Sequence, residues 1–101
     1  RSAYPASKGG IVQLTKSLAV AWAKYNIQVN CILPGWLKTE LTQPVYEHPE
    51  WGTAILKRTP AGRWGVPDDM RGIAVFLASR ASDFVTGTAI PVDGGFSVMG
   101  I

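Results

Sequence analysis

The two most strand-like segments of the chain, Ile27–Leu33 and Thr88–Val92, lie too far apart for a hairpin and have a helical stretch between them. Strands joined through a helix pair in parallel, because only a crossover returns the chain to the same end of the sheet. This points to an α/β fold. In the first segment Ile27, Val29, Cys31 and Leu33 alternate with Gln28 and Asn30, while Ile32 breaks the polar side, as in a strand covered on both faces. Pro34-Gly35 ends it. Pro91 places the second segment at a sheet edge, since proline cannot donate to a neighbour on one side. Two strands make a poor sheet by themselves, so further strands are expected beside them.

A helix is expected from Ser2 to Lys24. Ile11, Leu14, Leu18, Trp22 and Tyr25 recur at three- and four-residue steps and form one apolar stripe. Ser2 suits the N-cap and Pro5 the first turn; Asn26 can adopt the left-handed conformation that stops a helix. Residues 36–65 follow no clean period and contain Trp36, Trp51 and Trp64, which marks a partly helical excursion of the lid or binding-loop kind. Its tryptophans either wall a substrate pocket or form an aromatic core beneath the loop. A second helix is expected to open at Pro67, with Asp68 and Asp69 at its positive end and Met70, Ile73, Ala74, Phe76 and Leu77 as its buried stripe.

Composition removes several functions. The formal charge of +3 is scattered without a basic run, which argues against nucleic acid as a partner. No apolar run approaches the roughly 20 residues that span a bilayer, so no membrane role is expected. The one cysteine, Cys31, has no ligand neighbours at metal spacing and reads as a small buried residue in a reducing, cytoplasmic setting. No metal site is expected. His48, among Glu47, Pro49 and Glu50, reads as a solvated loop residue.

The chemistry-bearing pair is Tyr4 and Lys8. Four apart on a helix, they emerge on one face with Cβ atoms about 5–6 Å apart. A free tyrosine, with a pKa of about 10, is a poor base at neutral pH. A lysine cation about 5 Å away favours the phenolate by roughly 3 kcal/mol at an effective dielectric of about 20. Gly9 and Gly10 follow inside the helix at about 1 kcal/mol each relative to alanine, a cost that usually accompanies close approach to the backbone.

The run Tyr4-Pro5-Ala6-Ser7-Lys8-Gly9-Gly10 resembles the Tyr-x-Ala-Ser-Lys signature of the short-chain dehydrogenases/reductases. Asn30 followed by Pro34-Gly35-Trp36-Leu37-Lys38-Thr39 is similar to the family's strand-and-turn segment. Arg63-Trp64-Gly65-Val66-Pro67-Asp68-Asp69 resembles the entry to its next helix, and Phe76-Leu77-Ala78-Ser79, Thr86-Gly87 and Val92-Asp93-Gly94-Gly95 its closing segments. The resemblance covers residues 1–101 and implies the C-terminal portion of one Rossmann-like doubly wound parallel sheet, with 36–65 as the substrate loop. It implies NAD or NADP as cofactor and a small-molecule alcohol or carbonyl as substrate. Tyr4 would exchange the proton at the substrate oxygen, and Lys8 would bind the nicotinamide ribose and tune Tyr4. Pro34, Gly35 and the Leu37 backbone would line the nicotinamide pocket, and Thr39 would reach the carboxamide or pyrophosphate. Taken without the flanking matches, Pro34-Gly35 reads as a plain turn, and the plainer alternative for Thr39 is a helix cap.

No glycine-rich phosphate turn occurs in these residues, and the family's catalytic serine and relay asparagine would fall before Arg1. The abrupt Arg1-Ser2-Ala3-Tyr4 start reads as a cut through a longer sequence. Nucleotide-sugar epimerases share Tyr-x-x-x-Lys but carry a larger substrate domain after it. A non-catalytic relative would be expected to lose Tyr4 or Lys8, and both are present. The Thr59–Gly65 stretch looks most like members acting on sugars, sugar acids or polyols, with 3-oxoacyl-carrier-protein reductases as the alternative. The small residues Ala6, Ser7, Gly9 and Gly10, with the resemblance, imply helix pairing between subunits in a dimer or tetramer. The 101 residues alone should not bind NAD(P)H measurably, because losing about 4 kcal/mol of phosphate contacts weakens binding roughly a thousandfold. Calorimetric titration of the isolated chain checks this; micromolar affinity in a cooperatively folded sample would overturn it.

Overall fold

The computed structural model describes residues 3–99, with side chains from Ala6 onward. Helix α1 (Ala3–Trp22) tightens into a 3-10 turn and stops at Asn26, whose φ of 59° and ψ of 41° are left-handed. Strand β1 (Cys31–Pro34) follows, then the short helices α2 (Gln43–Tyr46) and α3 (Trp51–Arg58). A 3-10 turn at Pro67–Met70 leads into α4 (Arg71–Leu77), and strand β2 (Ala89–Val92) precedes a last 3-10 turn at Phe96–Val98. The Cys31 amide donates to the Thr88 carbonyl at 3.0 Å and the Gly35 amide to the Val92 carbonyl at 3.1 Å. The partners keep the same sequence offset (88 − 31 = 92 − 35), so β1 and β2 are parallel, as the crossover argument requires.

The residues group into two compact units, 1–32 with 73–90 and 33–72 with 91–101. In the first unit the buried residues of α1 are Thr15 and Ala19, not the large apolar ones. Thr15 turns its hydroxyl back to the Ile11 carbonyl at 2.8 Å, and a methyl built on Gly87 would rest 3.5 Å from the Ala19 Cβ. The expected stripe is therefore corrected: Ile11, Leu14, Trp22 and Tyr25 are exposed, and Leu18 is half-buried. Periodicity identifies an apolar side, while the contact made within the unit uses the narrow side, where small residues let the chain come close. The stripe on the second helix divides similarly. Met70, Ile73 and Leu77 are half-buried, but Ala74 and Phe76 are exposed.

The strand Ile27–Leu33 is also shorter than expected, beginning only at Cys31. Its first residues are paired, but largely through side chains. The Val29 amide donates to Thr86 Oγ1 at 3.0 Å, and the Val29 carbonyl accepts from the Gly87 amide at 2.8 Å. Asn30 uses both ends of its amide: Nδ2 donates to the Val85 carbonyl at 2.9 Å and Oδ1 accepts from the Thr88 amide at 3.1 Å. A side chain thus replaces ladder bonds just before the ladder starts, and it sets the register of the β1–β2 pairing. Cys31 is half-buried, less enclosed than expected. Ser82, nearly inaccessible, donates to the Leu77 and Ser79 carbonyls.

The second unit is organised around Trp64, whose indole N–H donates to the Gly52 carbonyl at 3.3 Å. Trp36 and Tyr46 each meet it edge-on with ring centroids 5.7 Å away. The excursion over 36–65 is thus built around an aromatic core, with Trp51 left outside it. No helix among the described residues is long and apolar enough to cross a membrane. Replacing Asn30 with alanine strands the Thr88 amide and the Val85 carbonyl together, and should destabilise the folded protein by about 1–3 kcal/mol. The check is denaturant unfolding: a lowered midpoint with an unchanged slope is the expected result.

Candidate active site

Beyond β1 the chain makes a tight contact that only glycine permits. A methyl at Gly35 would lie 2.6 Å from the Asp93 Cβ and 2.7 Å from its Cα. Opposite, Asp93 Oδ1 accepts from the Gly95 amide at 2.9 Å and Oδ2 from the Ser97 amide at 3.1 Å. Gly94 and Gly95 both have positive φ, and the Gly94 carbonyl accepts from the Ala61 amide at 2.9 Å. The Val92-Asp93-Gly94-Gly95 turn is thereby fixed on one side to Gly35 and on the other to the 59–61 segment.

The next residues are held by an isolated parallel bridge between Leu37 and Gly65. The Gly65 amide donates to the Trp36 carbonyl at 3.0 Å, and the Lys38 amide donates to the Gly65 carbonyl at 2.8 Å. This geometry turns the Leu37 amide and carbonyl the other way. Its carbonyl accepts from Thr42 Oγ1, whereas its N–H has no protein partner among the described residues. Thr39 and Thr42 exchange bonds: the Thr39 amide donates to Thr42 Oγ1 at 2.9 Å and the Thr42 amide to Thr39 Oγ1 at 3.2 Å. Thr39 thereby closes the turn that precedes α2, whose N-cap is Thr42. Because the Thr42 proton goes to a carbonyl, the Thr39 proton is left either for Thr42 Oγ1, 3.3 Å away, or for a ligand.

A cavity of about 160 Å³ opens here, lined among others by Gly35, Trp36, Leu37, Arg63, Asp69 and Asp93. Arg63 and Asp69 form a two-bond ion pair across it, at 2.8 and 2.9 Å. Asp69 Oδ2 also accepts from the Val66 amide at 2.8 Å. Sequence reasoning misses this pair; its signal is an arginine six residues before the second of two acids at a helix start. Asp69 keeps its expected place at the helix start, where its carboxylate takes the N-cap amide of Val66, and it serves Arg63 as well. Asp68 pairs instead with Arg71 on the surface.

An open groove of about 410 Å³ is lined by Lys38, Tyr46, His48, Gly52 and Trp64, among others. The Lys38 ammonium sits 5.4 Å from the Tyr46 ring centroid. His48 is more than a solvated residue. Its ring stacks on Trp51 at 4.0 Å, and Nδ1 accepts from the Glu50 and Trp51 amides at 3.1 Å, capping α3.

In the first unit Lys8 lies on α1, half-buried, one turn beyond Tyr4. The Tyr4 side chain lies outside the described residues. Gly9 and Gly10 are exposed, with nothing within 4 Å of an added methyl. Pro34 ends β1 and is exposed.

The hydrogen bond from Arg63, then that from the Val66 amide, lower the Asp69 pKa from 3.8 to about 2. A depressed carboxylate stabilises the fold above its unfolded pKa and loses that contribution as pH falls through the folded one. The pair should therefore hold above about pH 4 and be lost towards about pH 2. Asp69→Asn should remove this acid-range slope from the unfolding free energy, leaving the neutral range flat. Parallel slopes in both proteins between those limits would refute it.

A family model described as enoyl-(acyl carrier protein) reductase matches residues 1–97. The chain is 54% identical over 94 residues to the 2-dehydro-3-deoxy-D-gluconate 5-dehydrogenase of Bacillus subtilis (strain 168), covering 93% of this chain and 37% of that protein. It is 50% identical over 95 residues to the 5-keto-D-gluconate 5-reductase of Escherichia coli (strain K12), covering 94% and 37%. Among solved structures, a gluconate 5-dehydrogenase from Burkholderia cenocepacia J2315 in complex with NADP and tartrate superposes with a TM-score of 0.91 at 45% identity, covering 96% of this chain and 38% of that one. The chain thus spans little more than a third of the length of these relatives. Its matched residues and shared fold show that it belongs to the short-chain dehydrogenase/reductase family.

Proposed function

We propose that the protein containing this chain is an NAD(P)-dependent oxidoreductase that interconverts an alcohol and a carbonyl on a sugar acid. The observation that carries the cofactor half is the Leu37 N–H, unpartnered among the described residues, with the Thr39 hydroxyl proton close in sequence. An amide donor and a hydroxyl donor on one short loop suit the carbonyl oxygen of a carboxamide. When bound, the nicotinamide accepts or supplies the hydride. Pro34 and Gly35 form the turn that leads into this loop, and the Leu37 N–H and Thr39 hydroxyl orient the carboxamide.

On α1, Tyr4 gives the proton to the carbonyl oxygen in reduction and takes it from the alcohol in oxidation. Lys8 holds the ribose hydroxyls and favours the phenolate through its charge. The half-buried position of Lys8, one turn beyond Tyr4 on the same helix, supports this. The names of the Bacillus and Escherichia relatives supply the sugar-acid class. The acyl-carrier-protein wording of the family model favours a second reading only as to the carrier: a substrate held as an acyl thioester, of which the 3-oxoacyl kind offers the carbonyl. Turnover of acetoacetyl thioesters with none of 5-ketogluconate would decide for it.

Further parts of the reading are a homo-oligomeric protein, supported by the bare Gly9-Gly10 surface of α1, and a cytoplasmic setting, supported by the free thiol of Cys31. Tyr4→Phe should lower kcat by about 10²–10⁴-fold while leaving NAD(P)H affinity within about twofold, because the hydroxyl moves a proton and does not bind the cofactor. Lys8→Ala should damage both. A Tyr4→Phe enzyme with near-normal turnover would show that the proton comes from elsewhere.

A further inference from the structure

We infer that the Arg63–Asp69 ion pair is a positioning clasp for the Trp36–Lys38 backbone, and that through it these two residues set how tightly the cofactor is held. The second half rests on the reading of the Leu37 N–H as a cofactor contact. Of the described protein groups, only Gly65 and Thr42 bond the backbone of Trp36, Leu37 and Lys38. The two bonds from Gly65 run in opposite directions, at 3.0 and 2.8 Å, so any displacement of Gly65 displaces Trp36 and Lys38 together.

Gly65 is fixed by the closed loop around it. Arg63 stands two residues before it and Asp69 four after, and the two side chains close on each other through parallel bonds of 2.8 and 2.9 Å. Inside that closure Arg63 also donates to the Trp64 carbonyl at 3.2 Å, and Asp69 accepts from the Val66 amide at 2.8 Å. The carbonyl before Gly65 and the amide after it are thus both tied to one ion pair. The fit is close: a methyl on Gly65 would lie 2.6 Å from the Leu37 Cδ2, 3.3 Å from the Trp36 carbonyl oxygen and 3.6 Å from Asp69 Oδ2. Loop and clasp touch through Gly65, and both face the same cavity.

The planar guanidinium is the part that a lysine cannot supply, because only a fork makes two parallel bonds to one carboxylate while the second N–H of Nη1 still reaches the Trp64 carbonyl. Surface ion pairs commonly contribute little to stability. A pair that ties down backbone on either side of one glycine can still govern local order, since a loop opens at a lower free energy than the whole fold.

The test compares Asp69→Asn and Arg63→Lys with the parent protein that contains this chain. Arg63→Lys keeps the charge and the Asp69 bond to Val66, so it serves if Asp69→Asn folds poorly. Hydrogen exchange at the Lys38 and Gly65 amides should accelerate about tenfold or more in Asp69→Asn, and less in Arg63→Lys, while the Ala61 amide keeps its rate. The KM for NAD(P)H should rise about five- to twentyfold with kcat changed less than about twofold, a split expected of lost binding and not of lost chemistry. Unchanged exchange at Lys38 and Gly65 in both variants overturns the clasp. Accelerated exchange with an unaltered KM leaves the clasp standing and overturns the placement of the cofactor on Leu37.

Discussion

The bond from the Gly35 amide to the Val92 carbonyl carries the parallel pairing one residue past the end of β1, and the candidate site is arranged around that extension. Pro34 cannot make such a bond, since it has no N–H to give. Its place in the pairing asks for none, because a strand bonds a given neighbour through every second residue; the bonds to β2 fall on the register of Cys31 and Gly35, and at Gly35 the absence of a side chain lets Asp93 press against the backbone. Asp93 in turn holds the amides of Gly95 and Ser97, so both chain segments at this point are anchored by backbone groups. A strand end that is fixed from both sides makes a firm base for a loop that has to offer an amide to a ligand.

From that base the loop is constrained at short intervals by different means. Gly65 bonds Trp36 and Lys38, Thr42 takes the Leu37 carbonyl, and the Thr39–Thr42 exchange closes the turn before α2. The aromatic core behind it centres on Trp64, which bonds Gly52 at the start of α3. Gly52 has no room for a side chain, with the Tyr46 carbonyl oxygen 2.5 Å from where its Cβ would be. Steric exclusion at glycines and satisfaction of backbone groups position this unit more than buried aliphatic volume does.

Much of this is legible in the residues. Asn26 ends α1 in the left-handed conformation because the short amide side chain tolerates it, and Pro67 opens a helical turn where a missing N–H does no harm. The crossover dictates the parallel pairing. The Tyr4–Lys8 spacing and the Pro34-Gly35…Thr39 run mark where to look for chemistry. The rest depends on partners distant in sequence. Whether Ile11 or Ala19 is covered cannot follow from period alone, because both lie on a regular helix and only the neighbour decides. The late start of the ladder at Cys31 depends on Asn30 finding Val85 and Thr88. Asp69 reads as a helix-start charge, and its pairing with Arg63 stays hidden until the loop between them is folded.

The Asn30 bridge has a consequence for chemical ageing. Its amide works because one end donates and the other accepts, towards a carbonyl and an N–H respectively. Hydrolysis of that amide, a slow reaction open to asparagines in general, changes no atom position by much but leaves oxygen at both ends. The new carboxylate would face the Val85 carbonyl lone pair to lone pair, so a modification that adds barely one mass unit would loosen the turn ahead of β2.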